Sequence, residues 1–263
     1  MNDTQTGSNR FPPGTFSVPS PPASLSRMAA AQTRMELTLF LRNGEQLLVA
    51  LIIPLAVLFG LTAIEFGAIP EPRVDHAITA VLTVSVMGTA FTGQAIAVGF
   101  DRRYGALKRL GGTPLPPLVI IAGKMLATLT LVAGQSVVLG AVAALLGWRP
   151  ELPGLALGAV MIALGSIAFS AMGLLLGGTL RAEIVLGLAN LIWFVLMGAA
   201  GLAIGVVELP PGLAELLVVV PSYALTSALI TALSGGFPAV AALALLAWTA
   251  VAGGLAVRHF SFT

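Results

Sequence analysis

The chain has 263 residues, of which 57% are hydrophobic and 9% charged, and its mean hydropathy is +0.98. Soluble domains are about 45–50% apolar and about 25% charged, so this composition excludes an ordinary soluble globule and indicates a surface that faces lipid. The net charge is only +2, and the basic residues stand beside apolar runs, a pattern of membrane topology and not of nucleic-acid binding. Cysteine is absent, which excludes disulfide bonds and thiolate chemistry.

The first residues are of types that disfavour a packed fold. Residues 1–24 contain five prolines, two glycines and seven serines or threonines. Such a segment buries too little apolar surface to offset the entropy lost on ordering it. The composition therefore predicts a disordered tail, and the orientation derived below places it in the cytoplasm.

Residues 25–43 form a different kind of segment, with apolar positions at helical spacing and arginines between them. The apolar positions include Leu25, Met28, Met35 and Leu39. We expect an amphipathic helix that lies in the membrane interface, with its arginines near anionic lipid head groups. The alternative is an ordinary soluble helix that packs on a partner.

Six apolar runs are long enough to cross a bilayer, for which about 20 residues are needed. Pro54 lies inside the first run, where a proline is tolerated if a neighbouring helix satisfies the carbonyl that it frees. The sequence predicts an all-α polytopic membrane protein with a transmembrane domain over residues 44–263. The predicted spans are residues 47–66, 77–99, 117–146, 154–180, 184–207 and 238–257.

The apolar stretch 208–237 is too interrupted to form a further span. It is divided by Pro210, Pro211, Gly212 and Pro221. A proline inside a helix removes a backbone donor and clashes with the preceding turn. We expect two short, partly inserted helices in this stretch, with a bend at Pro221.

The orientation follows from the lysines and arginines, which favour the cytoplasmic side. Six spans place both termini on one side of the membrane. With the termini inside, eleven of the 13 basic residues lie in inner segments, and only Arg73 and Arg149 lie outside. The sequence predicts cytoplasmic termini in a cell membrane, and it places the interrupted stretch on the outer face.

The most charged part of the chain lies between the second and third spans. Residues 100–115, called the charged segment below, must lie in water next to the bilayer, because membrane-length runs flank them. One role for the basic side chains is to set topology and bind anionic lipid; another is to contact a soluble partner. The charged residues are Asp101, Arg102, Arg103, Lys108 and Arg109.

No catalytic or metal-binding constellation is visible in the sequence. His76 and His259 fall on opposite sides of the predicted topology. The pair Gly123 and Lys124 lacks the preceding glycine and the following Ser or Thr that a phosphate-binding loop requires. We expect no enzymatic activity and no nucleotide site in this chain.

Charges are almost absent from the middles of the predicted spans, which disfavours an ion-coupled carrier. Lys124 stands about two turns into the third span, and we expect its side chain to snorkel to the inner surface. The deeper polar residues Gln94, Gln135 and Asn190 either form interhelical hydrogen bonds or line a transport pathway. The two GxxxG spacings, Gly173 to Gly177 and Gly201 to Gly205, carry little weight in a chain with 30 glycines.

Residues 101–135, DRRYGALKRLGGTPLPPLVIIAGKMLATLTLVAGQ, resemble the signature region of ABC-2 type transporter permeases, including the daunorubicin-exporter-like branch. That family places an E-R-x-x-G-x-x-x-x-L-x-x-T-P element after its second span. An apolar helix follows, which opens with a Gly-Lys pair and carries a glutamine. Asp101 stands where Glu is commoner. The matching residues are Gly105, Leu110, Thr113, Pro114, Gly123, Lys124 and Gln135.

The similarity continues to about residue 260. The second block of the family has a short-loop Glu after the fourth span, an Asn in the fifth and an outer helical segment that is broken at a proline. Glu183, Asn190 and Pro221 stand at these places. The resemblance covers roughly residues 27–260.

The resemblance implies a six-span half-transporter that dimerises with an identical or paralogous permease and pairs with two ABC-type ATPase subunits, which bind ATP and Mg. It implies export of a hydrophobic or amphipathic substrate (a drug, an antibiotic or a lipid-like molecule). An ion-coupled carrier and a non-transporting assembly or sensor protein remain as alternatives.

The resemblance also assigns roles to two sets of residues. The charged segment would be the coupling helix that contacts the ATPase, and residues 208–229 would be an outer re-entrant element that helps to close the exit. The implied coupling residues are Asp101, Arg102, Arg103, Tyr104, Gly105, Lys108, Arg109 and Leu110, and the implied outer gate is Glu208, Pro210, Pro211 and Pro221.

Overall fold

The computed structural model describes residues 23–63, 71–113, 115–205, 207, 209–210 and 212–260. Almost all of the predicted tail therefore lies outside the described residues. The described part of the chain contains helices and no strand. The helices are α1 (Leu25–Arg42), α2 (Gly44–Ala63), α3 (Arg73–Val86), a π-helical segment (Met87–Gly93), α4 (Gln94–Arg103), α5 (Ala106–Gly111), α6 (Pro117–Leu145), α7 (Leu152–Thr179), α8 (Ala182–Ala203), α9 (Leu213–Leu217), α10 (Pro221–Leu233) and α11 (Ala239–His259).

Six helical stretches in the described residues are long and apolar enough to cross a membrane, which confirms the predicted all-α polytopic architecture. The span ends differ from the prediction by up to four residues, and the largest differences are at the second and fifth spans. The second span runs from Arg73 to Arg103, because the charged residues at its end find partners within the bundle. The fifth span ends at Ala203, close to Gly205, whose φ of 80° is the left-handed conformation common after a helix C-terminus.

The second span contains a π-helical segment that the apolar pattern of the sequence did not predict. It joins α3 and α4 without a break and begins and ends near glycines, Gly88 and Gly93. A Cβ atom on Gly93 would lie 3.1 Å from the carbonyl oxygen of Gly88. A side chain at this position would be crowded by that oxygen, so the π-helical turn favours glycine here.

Helix α7 occupies the centre of the bundle and packs against α4, α10 and α11. Its glycines allow this approach: a Cβ on Gly173 would lie 2.7 Å from the carbonyl oxygen of Phe91, and one on Gly177 would collide with the carbonyl of Ala95. Nothing lies within 4 Å of the Cβ position of Gly201. The first GxxxG spacing thus has a packing role after all.

Helix α1 packs along α6 and is not only a surface helix. A Cβ on Gly123 would collide with the side chain of Gln32, the one residue of α1 that is buried. The hydroxyl of Thr33 donates to the carbonyl oxygen of Gly123 at 3.3 Å, besides its bond within α1. The partner of this amphipathic helix is therefore a span of its own chain, while the arginines Arg27 and Arg34 stay exposed.

The interrupted stretch after α8 contains the short helix α9 and the longer α10. Pro221 occupies the first turn of α10, where a proline costs no hydrogen bond. Most of α10 is buried against α3, α7, α8 and α11, and Thr226 donates to Thr83 at 3.0 Å.

Candidate functional site

The charged segment begins at the last turn of α4. The chain turns at Gly105, whose φ is 71°, a conformation that glycine adopts without steric cost. The short helix α5 follows. Residues 112–116, of which Pro114 lies outside the described residues, then lead into α6.

Helix α5 is held to the bundle mainly by the apolar side chain of Leu107. Leu107 is fully buried and packs with Val98 of α4, Ile120 of α6 and Leu174 of α7. Leu110 is half-buried at the edge of the same cluster. Leu107 is not among the coupling residues predicted from the sequence, although an apolar residue between charged ones in a short helix is a recognisable sign of an anchored helix.

The cationic side chains of α5 point away from this anchor. Lys108 and Arg109 are exposed, and one Arg109 guanidinium nitrogen donates to the carbonyl oxygen of Tyr104 at 3.3 Å. Tyr104 is also exposed and stacks on Phe100, with 5.9 Å between the ring centroids. The outer face of the charged segment thus carries two cations and an aromatic ring.

The two preceding arginines are engaged within the chain. Arg102 donates to the carbonyl oxygens of Gly177 at 3.3 Å and Leu180 at 3.1 Å, at the C-terminal end of α7. Arg103 forms a 2.6 Å ion pair with Glu183, which gives the short-loop glutamate a partner. These contacts connect the end of α4 to the turn between α7 and α8.

Lys124 is buried in an ion cluster with two partly exposed carboxylates, and it does not snorkel to the surface. Its ammonium nitrogen lies 2.7 Å from Oε1 of Glu36 and 2.8 Å from Oδ2 of Asp101, and the lysine side chain is only 4% exposed. The snorkelling prediction was wrong because two carboxylates on neighbouring elements reach the lysine inside the bundle. We call Glu36, Asp101 and Lys124 the ion triad.

The ion triad joins α1, the end of α4 and α6. Gln32 donates to the same Glu36 oxygen at 2.8 Å, one helical turn away. Gly123 lets α1 approach closely enough for this contact. The Gly-Lys pair therefore has a structural reason: the glycine makes room for α1, and the lysine binds its carboxylate.

Two of the three predicted intramembrane polar residues connect helices. Gln94 accepts a hydrogen bond from Thr128 of α6. Gln135 accepts from Thr89 at 2.9 Å and donates to the carbonyl oxygen of Ala50 at 2.9 Å. Asn190 is exposed, and its amide donates to a carbonyl of its own helix.

The implied outer gate is only partly described. Pro210 is exposed, and its carbonyl accepts from the backbone of Leu213 at 3.1 Å. Pro221 is buried at the start of α10. Glu208 and Pro211 lie outside the described residues, and their role stays a prediction.

Metal binding has no support in the described residues, which contain no group of three or more potential ligands among His, Asp and Glu. His76 lies in the first turn of the second span and His259 is the last residue of α11, at opposite ends of the bundle. No nucleotide-binding loop surrounds Gly123 and Lys124, which lie inside α6.

The geometry defines a class of protein: a multi-pass helical membrane protein whose exposed cationic helix is joined to several spans. The family model of the ABC-2 type transporter matches residues 30–233, which is more than half of the chain. The chain belongs to this family and is a permease subunit of an ABC transporter, a kind of subunit that works with an ABC ATPase. Comparison with curated proteins gives no match.

Proposed function

We propose that this chain is the membrane subunit of an exporter, and that the charged segment receives movement from a cytoplasmic ATPase subunit. The observation that carries the proposal is the two-sided character of α5. Leu107 holds the helix to three spans, while Lys108 and Arg109 face away from the bundle. A helix that is anchored on one side and cationic on the other is suited to connect a soluble partner to the spans.

The contacts around α5 favour transmission of force to the whole bundle. Arg102 connects α4 to α7, and the ion triad connects α4 to α1 and α6. Breaking a buried ion pair by removing one partner costs about 3–5 kcal/mol. Displacement of α5 would therefore move these helices together and would not pull the segment free. Lys108 and Arg109 would form charge-assisted hydrogen bonds with acidic residues of the ATPase.

The proposal places both termini and the charged segment in the cytoplasm. The distribution of basic residues supports this orientation. The packing of α1 on α6 supports it further, because it brings the exposed Arg27 and Arg34 to the same end of the bundle as Lys108. Arg149, between α6 and α7, would then face the outside.

The remaining partners belong to the same proposal. ATP and Mg would bind to two ATPase subunits, and a second permease, identical or paralogous, would complete the membrane part. The substrate would be hydrophobic or amphipathic and would leave the cell. Residues 208–229 would close the outer exit, and the burial of α10 gives that element a fixed base.

The decisive experiment reverses the exposed charges of α5. The chain is reconstituted with its ATPase in lipid vesicles, and ATP hydrolysis is compared with ATP-dependent uptake of a fluorescent amphiphile into inverted vesicles. We expect the double variant Lys108→Glu, Arg109→Glu to lose uptake and assembly with the ATPase. The matched control, Arg181→Glu with Arg258→Glu, reverses two exposed charges at the same end of the bundle. Equal behaviour of the two double variants would rule out coupling through α5.

A further inference from the structure

Two cavities meet next to the ion triad. The smaller cavity, of about 210 Å³, has a mixed lining, whose charged residues are Glu36, Asp101 and Lys124. The larger, of about 530 Å³, runs between α2 and the π-helical segment to Trp193 of α8 and is mostly apolar. We call them the polar cavity and the apolar cavity. Both are lined by Phe40, Asn43, Gln46, Thr89, Gly93 and Ala97.

The polar cavity carries an excess of negative charge. Two carboxylates of the ion triad face one ammonium group, so the triad has a formal charge of −1. Lys124 contacts one oxygen of each carboxylate, which leaves the other oxygens to further partners. Glu45 adds another carboxylate at the edge of the apolar cavity. An unbalanced negative charge in a partly desolvated site attracts a cation.

The same place holds a buried donor without a partner. Gln94 lines the polar cavity and is 8% exposed, and its Nε2 has no hydrogen-bond partner among the described residues. Ser85 and Thr92, which line the apolar cavity, also have buried hydroxyls without partners there. A buried donor that stays unpaired costs about 1–3 kcal/mol. These groups therefore favour a ligand that brings a hydrogen-bond acceptor.

The π-helical segment forms the wall that both cavities share. Thr89 and Gly93 lie on this wall, and Gly88 lines the apolar cavity without any atom within 4 Å of its Cβ position. Single π-helical turns inside α-helices occur frequently at functional sites. The wider turn here places threonines and glycines, rather than bulky side chains, beside the cavities.

We propose that the joined cavities bind an amphiphile whose polar end carries a protonated amine next to a hydrogen-bond acceptor. The amine would lie at Glu36 and Asp101, the acceptor at the amide of Gln94, and the apolar body along α2 towards Trp193. This inference rests on the proposed function and makes its substrate class specific. In the proposed orientation the ligand enters from the cytoplasmic leaflet.

Binding is measured directly, without the ATPase, so that its failure is distinguishable from a failure of coupling. Trp148→Phe and Trp248→Phe leave Trp193 as the single tryptophan. This protein is placed in phosphatidylcholine nanodiscs and titrated with doxyl-labelled octadecylamine, whose label quenches tryptophan on contact. The doxyl-labelled alcohol and carboxylic acid of the same chain length are the charge controls.

We expect the amine to quench Trp193 at a concentration about tenfold lower than the alcohol, and the acid to bind most weakly. A tenfold difference in affinity corresponds to the free energy of about one hydrogen bond to a charged group. Glu36→Gln should remove most of that difference, whereas Glu151→Gln, at the other end of the bundle, should retain it. Asp101→Asn provides a second test if Glu36→Gln does not fold. Equal quenching by all three probes, or an amine preference unaffected by both variants, would overturn the proposal.

Discussion

The side-chain amide of Gln135 donates a hydrogen bond to the carbonyl oxygen of Ala50, at a distance of 2.9 Å. Ala50 precedes Pro54 by one helical turn, and Pro54 has no N–H to offer that carbonyl. A glutamine on α6 thus completes the hydrogen bonding of the proline-containing helix α2. In lipid, an unsatisfied carbonyl would be costly, so this contact joins two spans firmly.

The relationship predicts coupling between Gln135 and Pro54. Gln135→Leu should lower the free energy of unfolding by about 1–2 kcal/mol, as expected for an interhelical hydrogen bond in a membrane. In a Pro54→Ala background the helix supplies its own donor, so the same substitution should cost less. Unfolding by sodium dodecyl sulfate in mixed micelles measures all four proteins. An equal loss in both backgrounds would contradict the assigned role. Thr89→Val removes the other hydrogen bond of Gln135, so its effect on stability measures that bond by itself.

The ion triad predicts a large loss of stability when its lysine is removed. Lys124→Met leaves two carboxylates close together without their cation, and the free energy of unfolding should fall by about 3–5 kcal/mol. Adding Glu36→Gln and Asp101→Asn should restore much of the loss, because the unpaired charges are then removed. The free energy of unfolding of each variant is measured by the same titration with sodium dodecyl sulfate in mixed micelles.

The matched comparison for the triad is the ion pair of Arg103 and Glu183. Their side chains are 49% and 62% exposed, so Arg103→Gln should change stability by less than about 1 kcal/mol. If Lys124→Met were as mild as Arg103→Gln, the triad would not be the connection that holds α1 to the bundle.

The amphipathic helix α1 should detach when its contact with α6 is blocked. Gly123→Ala places a methyl group against Gln32, which should cost about 1–3 kcal/mol. We expect faster amide hydrogen exchange in α1, with the rest of the bundle unchanged. Gly134→Ala is the control on the same helix, because nothing lies within 4 Å of its Cβ position. Unchanged exchange in α1 would show that this contact does not hold the helix.

The six spans could be predicted because each is an apolar run of membrane length, a property local to the sequence. The partners of the polar residues could not. Position alone made Lys124 a candidate for snorkelling, and its burial depends on Glu36, which is 88 positions away in the chain. Pro54 indicated that a carbonyl needed a donor, but only the packing of α6 on α2 identifies Gln135. The π-helical segment had no signal in the apolar pattern.

The orientation of the chain can be tested with introduced cysteines, because the natural sequence has none and every label reports the chosen position. Lys108→Cys and Glu151→Cys replace exposed residues at opposite ends of the bundle. In intact cells, a membrane-impermeant maleimide should label the cysteine at position 151 and should reach position 108 only after permeabilisation. The reason is that the cations around α5 favour the cytoplasmic side. Labelling of position 108 in intact cells would invert the topology, and Lys108 and Arg109 could then no longer contact a cytoplasmic ATPase.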